Sequence, residues 1–184
     1  TSDSQVITVS YSYNLKGQMT GASGRGTFSA HEPEALNSTT NITENGKKKN
    51  PEPPKNPNQR GTDSSGSIYQ GYIIKGGQAL LATTTTNTTT VTSQGTSTSS
   101  VTVTYRYDAQ GVMIGAAGRG TTSGEDYEGT ITQTYAMFEG RALITSSVVN
   151  PTSTKTQGFV TTHVNSVVTT LYRYNSDGHL IGAH

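Results

Sequence analysis

Tyr105-Arg-Tyr-Asp-Ala-Gln-Gly-Val-Met-Ile-Gly-Ala-Ala-Gly-Arg-Gly-Thr121 decides how this chain is read. It occurs nearly complete as Tyr11-Ser-Tyr-Asn-Leu-Lys-Gly-Gln-Met-Thr-Gly-Ala-Ser-Gly-Arg-Gly-Thr27. It begins again as Tyr172-Arg-Tyr-Asn-Ser-Asp-Gly-His-Leu-Ile-Gly-Ala183. Tyr at i and i+2 puts two rings on one side of a strand. Asn or Asp followed three residues on by Gly (Gly17, Gly111, Gly178) is hairpin chemistry, because Gly accepts positive φ without steric cost. The strand that follows is rich in Gly: Gly21, Gly24 and Gly26, then Gly115, Gly118 and Gly120, then Gly182. Glycine within a strand marks bulges, bends or close backbone approach, so these are expected points of sheet curling.

Other segments recur at a fixed offset. Gly66-Ser-Ile-Tyr-Gln70 returns as Gly129-Thr-Ile-Thr-Gln133, and Gly77-Gln-Ala-Leu-Leu81 as Gly140-Arg-Ala-Leu-Ile144, both 63 residues on. The Gly-Arg-Gly triplets at Arg25 and Arg119 lie 94 residues apart, a surplus of 31. That surplus falls in residues 31–65, which hold five of the six prolines and few apolar residues. Such composition suits a flexible polar excursion between strands. Internal self-similarity of this kind indicates a repeat architecture. The chain reads as one domain, 1–184: repeat one over 6–102 with the insertion 31–65, repeat two over 103–167, and a half repeat over 168–184.

Strands are expected at 6–13, 18–29, 67–75, 78–91, 101–107, 112–123, 130–138, 141–149 and 156–174, with a last hairpin over 168–183. The Thr-rich run 83–90 counts as strand because its second copy, Arg141-Ala-Leu-Ile-Thr-Ser-Ser-Val-Val149, is ordinary strand sequence. No segment carries a 3.6-residue apolar period with caps, so essentially no helix is expected. The fold class is all-β: an antiparallel up-and-down meander of about ten strands, closed as a curled barrel or packed as a sandwich.

Composition narrows the function. Apolar residues are 30%, or about 41% with the 21 Gly, against roughly 45–50% in globular chains. Charged residues are 14%, and the formal net charge is +1. The apolar deficit is filled by Thr, Ser, Gly and Asn rather than by charge. A near-neutral balance gives no argument for nucleic acid or anionic lipid. No run of 18 apolar residues implies a membrane span. With no Cys there are no disulfides and no thiolate metal ligands. His31, His163, His179 and His184 form no metal-ligand spacing, and carboxylates do not recur in pairs at matched repeat sites. Neither enzyme, metal nor cofactor is expected.

Two features admit sharper and plainer readings. Arg25 and Arg119, each between glycines, would present a guanidinium beside open amides as an anion site, or would simply face solvent from a twisted strand. The Tyr11/Tyr13, Tyr105/Tyr107 and Tyr172/Tyr174 pairs would stack a sugar or partner, or would pack beneath neighbouring turns. Asn37, Asn41 and Asn87 open N-glycosylation triplets, which favour an extracellular or cell-surface place.

Tyr105-Arg-Tyr-Asp-Ala-Gln-Gly-Val-Met113 resembles the Tyr-x-Tyr-Asp-x-x-Gly-x-Leu core of the YD repeats of Rhs-type bacterial surface and toxin-shell proteins. The first and third copies carry Asn14 and Asn175 in place of Asp. The resemblance covers about nine residues per copy, and YD repeats lie much closer together, so it does not carry a fold across. In style the chain resembles the tandem β repeats of long secreted prokaryotic surface and fibre proteins, which implies a structural or adhesive role.

The expected function is a structural subunit of an extracellular fibre, sheath or adhesin stalk, joined to its own kind by strand addition or exchange. The expected assembly edges are Val6, Val9, Tyr11 and Tyr13 at one end and Val168, Tyr172, Tyr174 and Leu180 at the other. Surface glycans are a further expected partner. The alternative is a secreted β-barrel that binds a glycan or small ligand.

Overall fold

The computed structural model describes residues 2–33, 61–93, 95–125, 127–152, 154–157, 160–163 and 166–184. Twelve strands follow one another: β1 (Ser2–Tyr13), β2 (Met19–Glu32), β3 (Thr62–Lys75), β4 (Gln78–Thr92), β5 (Gly95–Tyr107), β6 (Met113–Ser123), β7 (Glu128–Phe138), β8 (Arg141–Pro151), β9 (Thr154–Gln157), β10 (Val160–His163), β11 (Val168–Tyr174) and β12 (Leu180–Ala183). No helix occurs among the described residues. Ten strands form one antiparallel sheet in the order β1-β2-β3-β4-β5-β6-β7-β8-β11-β12, and β9 pairs only with β10. The meander is as expected. The closure is not: β1 and β12 are the two ends of an open sheet, neither a barrel nor a two-layer sandwich.

The three Asx-Gly hairpins explain the up-and-down path. Asn14 Oδ1 accepts the amides of Lys16 and Gln18, both at 2.9 Å. Asp108 Oδ1 accepts those of Gln110 (2.9 Å) and Val112 (2.8 Å), and Asn175 Oδ1 those of Asp177 (3.1 Å) and His179 (2.8 Å). Gly17, Gly111 and Gly178 close these turns at φ 74°, 85° and 75°, a region where a side chain is strained.

Five hairpins carry a register shift at one level of the sheet, leaving Thr20, Ala82, Ile114, Thr145 and Ile181 as the extra residues. Bulges of this kind bend a strand and raise its twist. Three of them, Thr20, Ile114 and Ile181, adjoin Gly21, Gly115 and Gly182, so part of the curling expected at the glycines is done by their neighbours. β2 also comes within 8 Å of β4 across β3, and β6 of β8 across β7. Strands two apart in a flat sheet are separated by about 9.6 Å, so the sheet bends at β3 and β7.

The pairings divide the side chains between two faces. One face carries Ile7, Gly26, Ile68, Thr86, Val101, Gly120, Ile131, Val149 and Val168 in a single row across the sheet. The other carries Arg25, Arg106, Arg119, Arg141 and Arg173 with most of the Thr and Ser. The apolar face is where burial concentrates. Ile68 (6% exposed) and Ile131 (8%) are the buried large apolar residues of the described chain, one at each bend. A single layer has no second layer to cover it, which is why so little is fully buried.

The glycines of the Gly-Arg-Gly triplets belong to this packing. Gln70 lies over Gly24 and Gln133 over Gly118; a Cβ at either glycine would sit 2.6 Å from the glutamine Oε1 and 2.9 Å from its Cβ. A Cβ at Gly120 would meet the Ser100 carbonyl oxygen of β5.

Some element bounds differ from the sequence reading. β2 runs on to Glu32 and β3 begins at Thr62, so both strands extend into the stretch read as an insertion. Its middle, 34–60, lies outside the described residues. The segment read as one strand over 156–174 is divided between β9, β10 and β11. The Thr run is strand, in β4.

Candidate functional site

β1 is the longer free edge of the sheet. It holds 12 residues, Ser-Asp-Ser-Gln-Val-Ile-Thr-Val-Ser-Tyr-Ser-Tyr, with one charged side chain and no Pro. Its inner side pairs with β2 from Ser2↔His31 to Tyr13↔Met19; its outer side has no partner in the sheet. Val6 (67% exposed), Tyr11 (52%) and Tyr13 (58%) are open to solvent, and Val9 is half-buried. Natural edges are usually blunted by Lys, Pro, bulges or shortness. β1 has a bulge opposite Tyr13 and otherwise none of these.

β12 is the other edge and is short, four residues from Leu180. Main-chain bonds between Leu171 and His184, 2.8 and 3.0 Å, continue its ladder with β11. Leu180 and Val168 are exposed, while Tyr172 and Tyr174 are half-buried. The expected assembly residues thus fall on two different kinds of position. Val6 to Tyr13 and Leu180 lie on true edges. Val168, Tyr172 and Tyr174 lie on β11, where Val168 is paired with β8 and Tyr172 and Tyr174 with β12.

The tyrosine pairs have a defined structural use. Tyr107 donates its hydroxyl to the Leu81 carbonyl of β4 at 2.7 Å. Tyr174 donates to the Ile144 carbonyl of β8 at 2.8 Å. Each Tyr ties its strand to the preceding neighbour. Tyr13 holds the same position in β1, on whose outer side no strand is paired among the described residues. Tyr72 and Tyr135, which the sequence reading left unassigned, donate to Gln70 and Gln133 at 2.9 Å. They thereby pin the two glutamines over Gly24 and Gly118. The available signal was the Gln-x-Tyr pattern recurring 63 residues apart.

These phenols crowd one another. Burial pushes the Tyr135 hydroxyl up to about 12, helped by the nearby Tyr105, Tyr172 and Tyr174. Burial and Tyr11 raise Tyr72; burial and Tyr105 raise Tyr107. Tyr72, Tyr107 and Tyr135 are therefore held in the neutral, hydrogen-bonded form.

Arg25 and Arg119 do not converge on a common site. Arg25 is exposed on the polar face with its guanidinium 5.9 Å from the Tyr69 ring centroid. Arg119 stands between Thr102 and Thr132. Their flanking glycines face the opposite side of the sheet. His31 Nδ1 lies 2.5 Å from Asp63 Oδ1, an exposed cross-strand pair on β2 and β3. Among the described residues, no group of three or more His, Cys, Asp or Glu side chains is gathered. A cleft of about 740 Å³ opens at the end of the sheet away from the Asx turns, lined by Thr88, Ser99, Thr122, Thr130 and neighbours. Its lining contains no aromatic ring.

Asn87 sits within β4 on the polar face, its amide donating to Ser67 Oγ at 3.3 Å. Asn37 and Asn41 lie outside the described residues. No helix of the described chain is long and apolar enough to cross a membrane.

The geometry defines an open, single-layer antiparallel meander with unpaired outer strands. No protein-family model matches the chain, and neither a curated protein nor a solved structure matches it at a significant level.

Proposed function

We propose that this chain is a structural subunit of an extracellular fibre, sheath or adhesin stalk, built by adding strands to the edges of its sheet. One observation carries the reading: β1 is long, nearly uncharged and open along its outer side. Unpaired N–H and C=O groups along such an edge recruit further strands. The thin core points the same way. A layer that buries two large apolar side chains among the described residues gains stability when its rows are extended, since each added strand covers its neighbour's apolar side chains. Glycans on Asn37 or Asn41 would suit a surface location, and the abundant Thr hydroxyls would suit further glycan cover. The alternative, a barrel enclosing a glycan or small ligand, finds no barrel interior in the open sheet.

Negative-stain electron microscopy of the purified full chain tests this. The expected result is elongated assemblies. Uniform compact particles of single-chain mass at all concentrations would contradict the reading.

A further inference from the structure

The contacts that β5 and β11 make with their preceding strands specify what β1 lacks. β5 is preceded by β4, and β11 by β8. In both pairs the tyrosine nearest the Asx turn reaches a carbonyl on the preceding strand: Tyr107 to Leu81, Tyr174 to Ile144. In both, the residues opposite match. Val101 faces Thr86 and Val168 faces Val149; Val103 faces Thr84 and Thr170 faces Ser147. The two preceding strands share one pattern, Ala-Leu-(Leu/Ile)-x-x-(Thr/Ser)-x-(Thr/Val), in Ala79–Thr86 and Ala142–Val149. β1 presents the receiving side of this joint: Ile7, Val9, Tyr11 and Tyr13 stand where β5 has Val101, Val103, Tyr105 and Tyr107.

We infer that the outer side of β1 is a docking site for a strand of this Ala-Leu-(Leu/Ile) type, antiparallel to β1, whose (Leu/Ile) carbonyl accepts the Tyr13 hydroxyl. The inference deepens the strand-addition reading by naming the kind of strand. Within the sheet, β4 and β8 carry the pattern, and each has β5 or β11 laddered to the later part of it, Thr83 onward and Ser146 onward. β12, Leu-Ile-Gly-Ala, does not carry it. The strand that fits β1 is therefore β8 of a second chain, open where its β11–β12 hairpin has left it, rather than the β12 edge of a second identical sheet. Main-chain ladder bonds give such a joint its affinity; the tyrosine–carbonyl bond and the alternate side chains set its register.

The test uses the full chain and two fluorescein-labelled peptides of equal length. One has the sequence of β8, Arg-Ala-Leu-Ile-Thr-Ser-Ser-Val-Val-Asn-Pro; the other has that of β7, Glu-Gly-Thr-Ile-Thr-Gln-Thr-Tyr-Ala-Met-Phe. Binding is read by anisotropy, with amide exchange locating the bound strand. The β8 peptide should bind and slow exchange in β1, and the β7 peptide should bind at least tenfold more weakly. Tyr13→Phe should weaken the β8 peptide about 2- to 12-fold, the range expected for one net hydrogen bond. Tyr13 is exposed on an edge, so this variant keeps the fold. Equal binding of both peptides, binding of neither, or an unchanged affinity for Tyr13→Phe would overturn the inference. The two levels separate cleanly. Fibres that form while the β8 peptide does not bind refute the named strand and leave strand addition standing. Peptide binding without fibres refutes self-assembly of the chain and keeps the docking site.

Discussion

Replacing Gly118 by Ala probes the packing that holds the sheet together. The added methyl would lie 2.6 Å from Gln133 Oε1, 2.9 Å from its Cβ and 3.3 Å from its Cδ. The Oε1 could swing away, but the Gln133 Cβ is fixed by its strand, so β6 and β7 must separate slightly. Overpacking of this kind costs about 1–3 kcal/mol. Moving the amide also breaks its hydrogen bond with Tyr135, worth about 0.5–1.5 kcal/mol. The expected loss is about 2–4 kcal/mol. Gln133→Ala alone loses the tyrosine bond but opens the space. The double variant Gly118→Ala/Gln133→Ala should therefore be less destabilised than the two single losses added together, by about 1–3 kcal/mol. Urea unfolding followed by circular dichroism measures all four proteins; tyrosine emission is a second probe, since the chain has no Trp. Several protein concentrations are needed because assembly would add to apparent stability. Gly24 and Gln70 show the same distances, so the same cycle should return there. A loss below about 0.5 kcal/mol for Gly118→Ala, or strict additivity in the cycle, would refute the argument.

Other substitutions have distinct signatures. Asp108→Ala removes the acceptor of two turn amides and should cost about 1–2 kcal/mol by urea unfolding, whereas Asp108→Asn should stay within about 0.5 kcal/mol because Asn14 and Asn175 make the same two bonds. Thr84 Oγ1 is buried with no hydrogen-bond partner among the described residues, so Thr84→Val should stabilise the sheet by about 0.5–1.5 kcal/mol in the same assay. Tyr135 has its folded value raised from 10.0 to about 12, so its contribution to stability is fully present below pH 10 and is lost as pH rises towards 12. Ultraviolet titration should show a late-ionising phenol that disappears in Tyr135→Phe, together with part of the alkaline loss of stability.

Local features of the fold were legible in the sequence, and global closure was not. Asn14, Asp108 and Asn175 with their glycines fix hairpins through contacts within five residues, so the pattern alone identified them. The Thr run of β4 was legible only through its second copy in β8, because Thr-rich sequence by itself does not separate strand from coil. Closure depends on twist and bend summed over ten strands, which no local pattern carries; hence the expected barrel or sandwich became an open layer. The glutamine caps over Gly24 and Gly118 needed the register between β2 and β3 and between β6 and β7. Spacing in sequence hides that register, because Gly24 and Gln70 are 46 residues apart while Gly118 and Gln133 are 15 apart. The anion-site reading of Arg25 and Arg119 treated neighbours in sequence as neighbours in space. The amides of the flanking glycines lie in strands laddered on both sides, a pairing the local sequence does not show.

Concentration-dependent amide exchange on the two equivalent strands β1 and β5 bears on the assembly claim most directly. β5 is paired on both sides within the chain and should exchange slowly at every concentration. β1 should exchange fast along its outer side when dilute and become as slow as β5 once chains add to that edge. Fast exchange in β1 that never changes, up to the solubility limit, would contradict assembly through this edge.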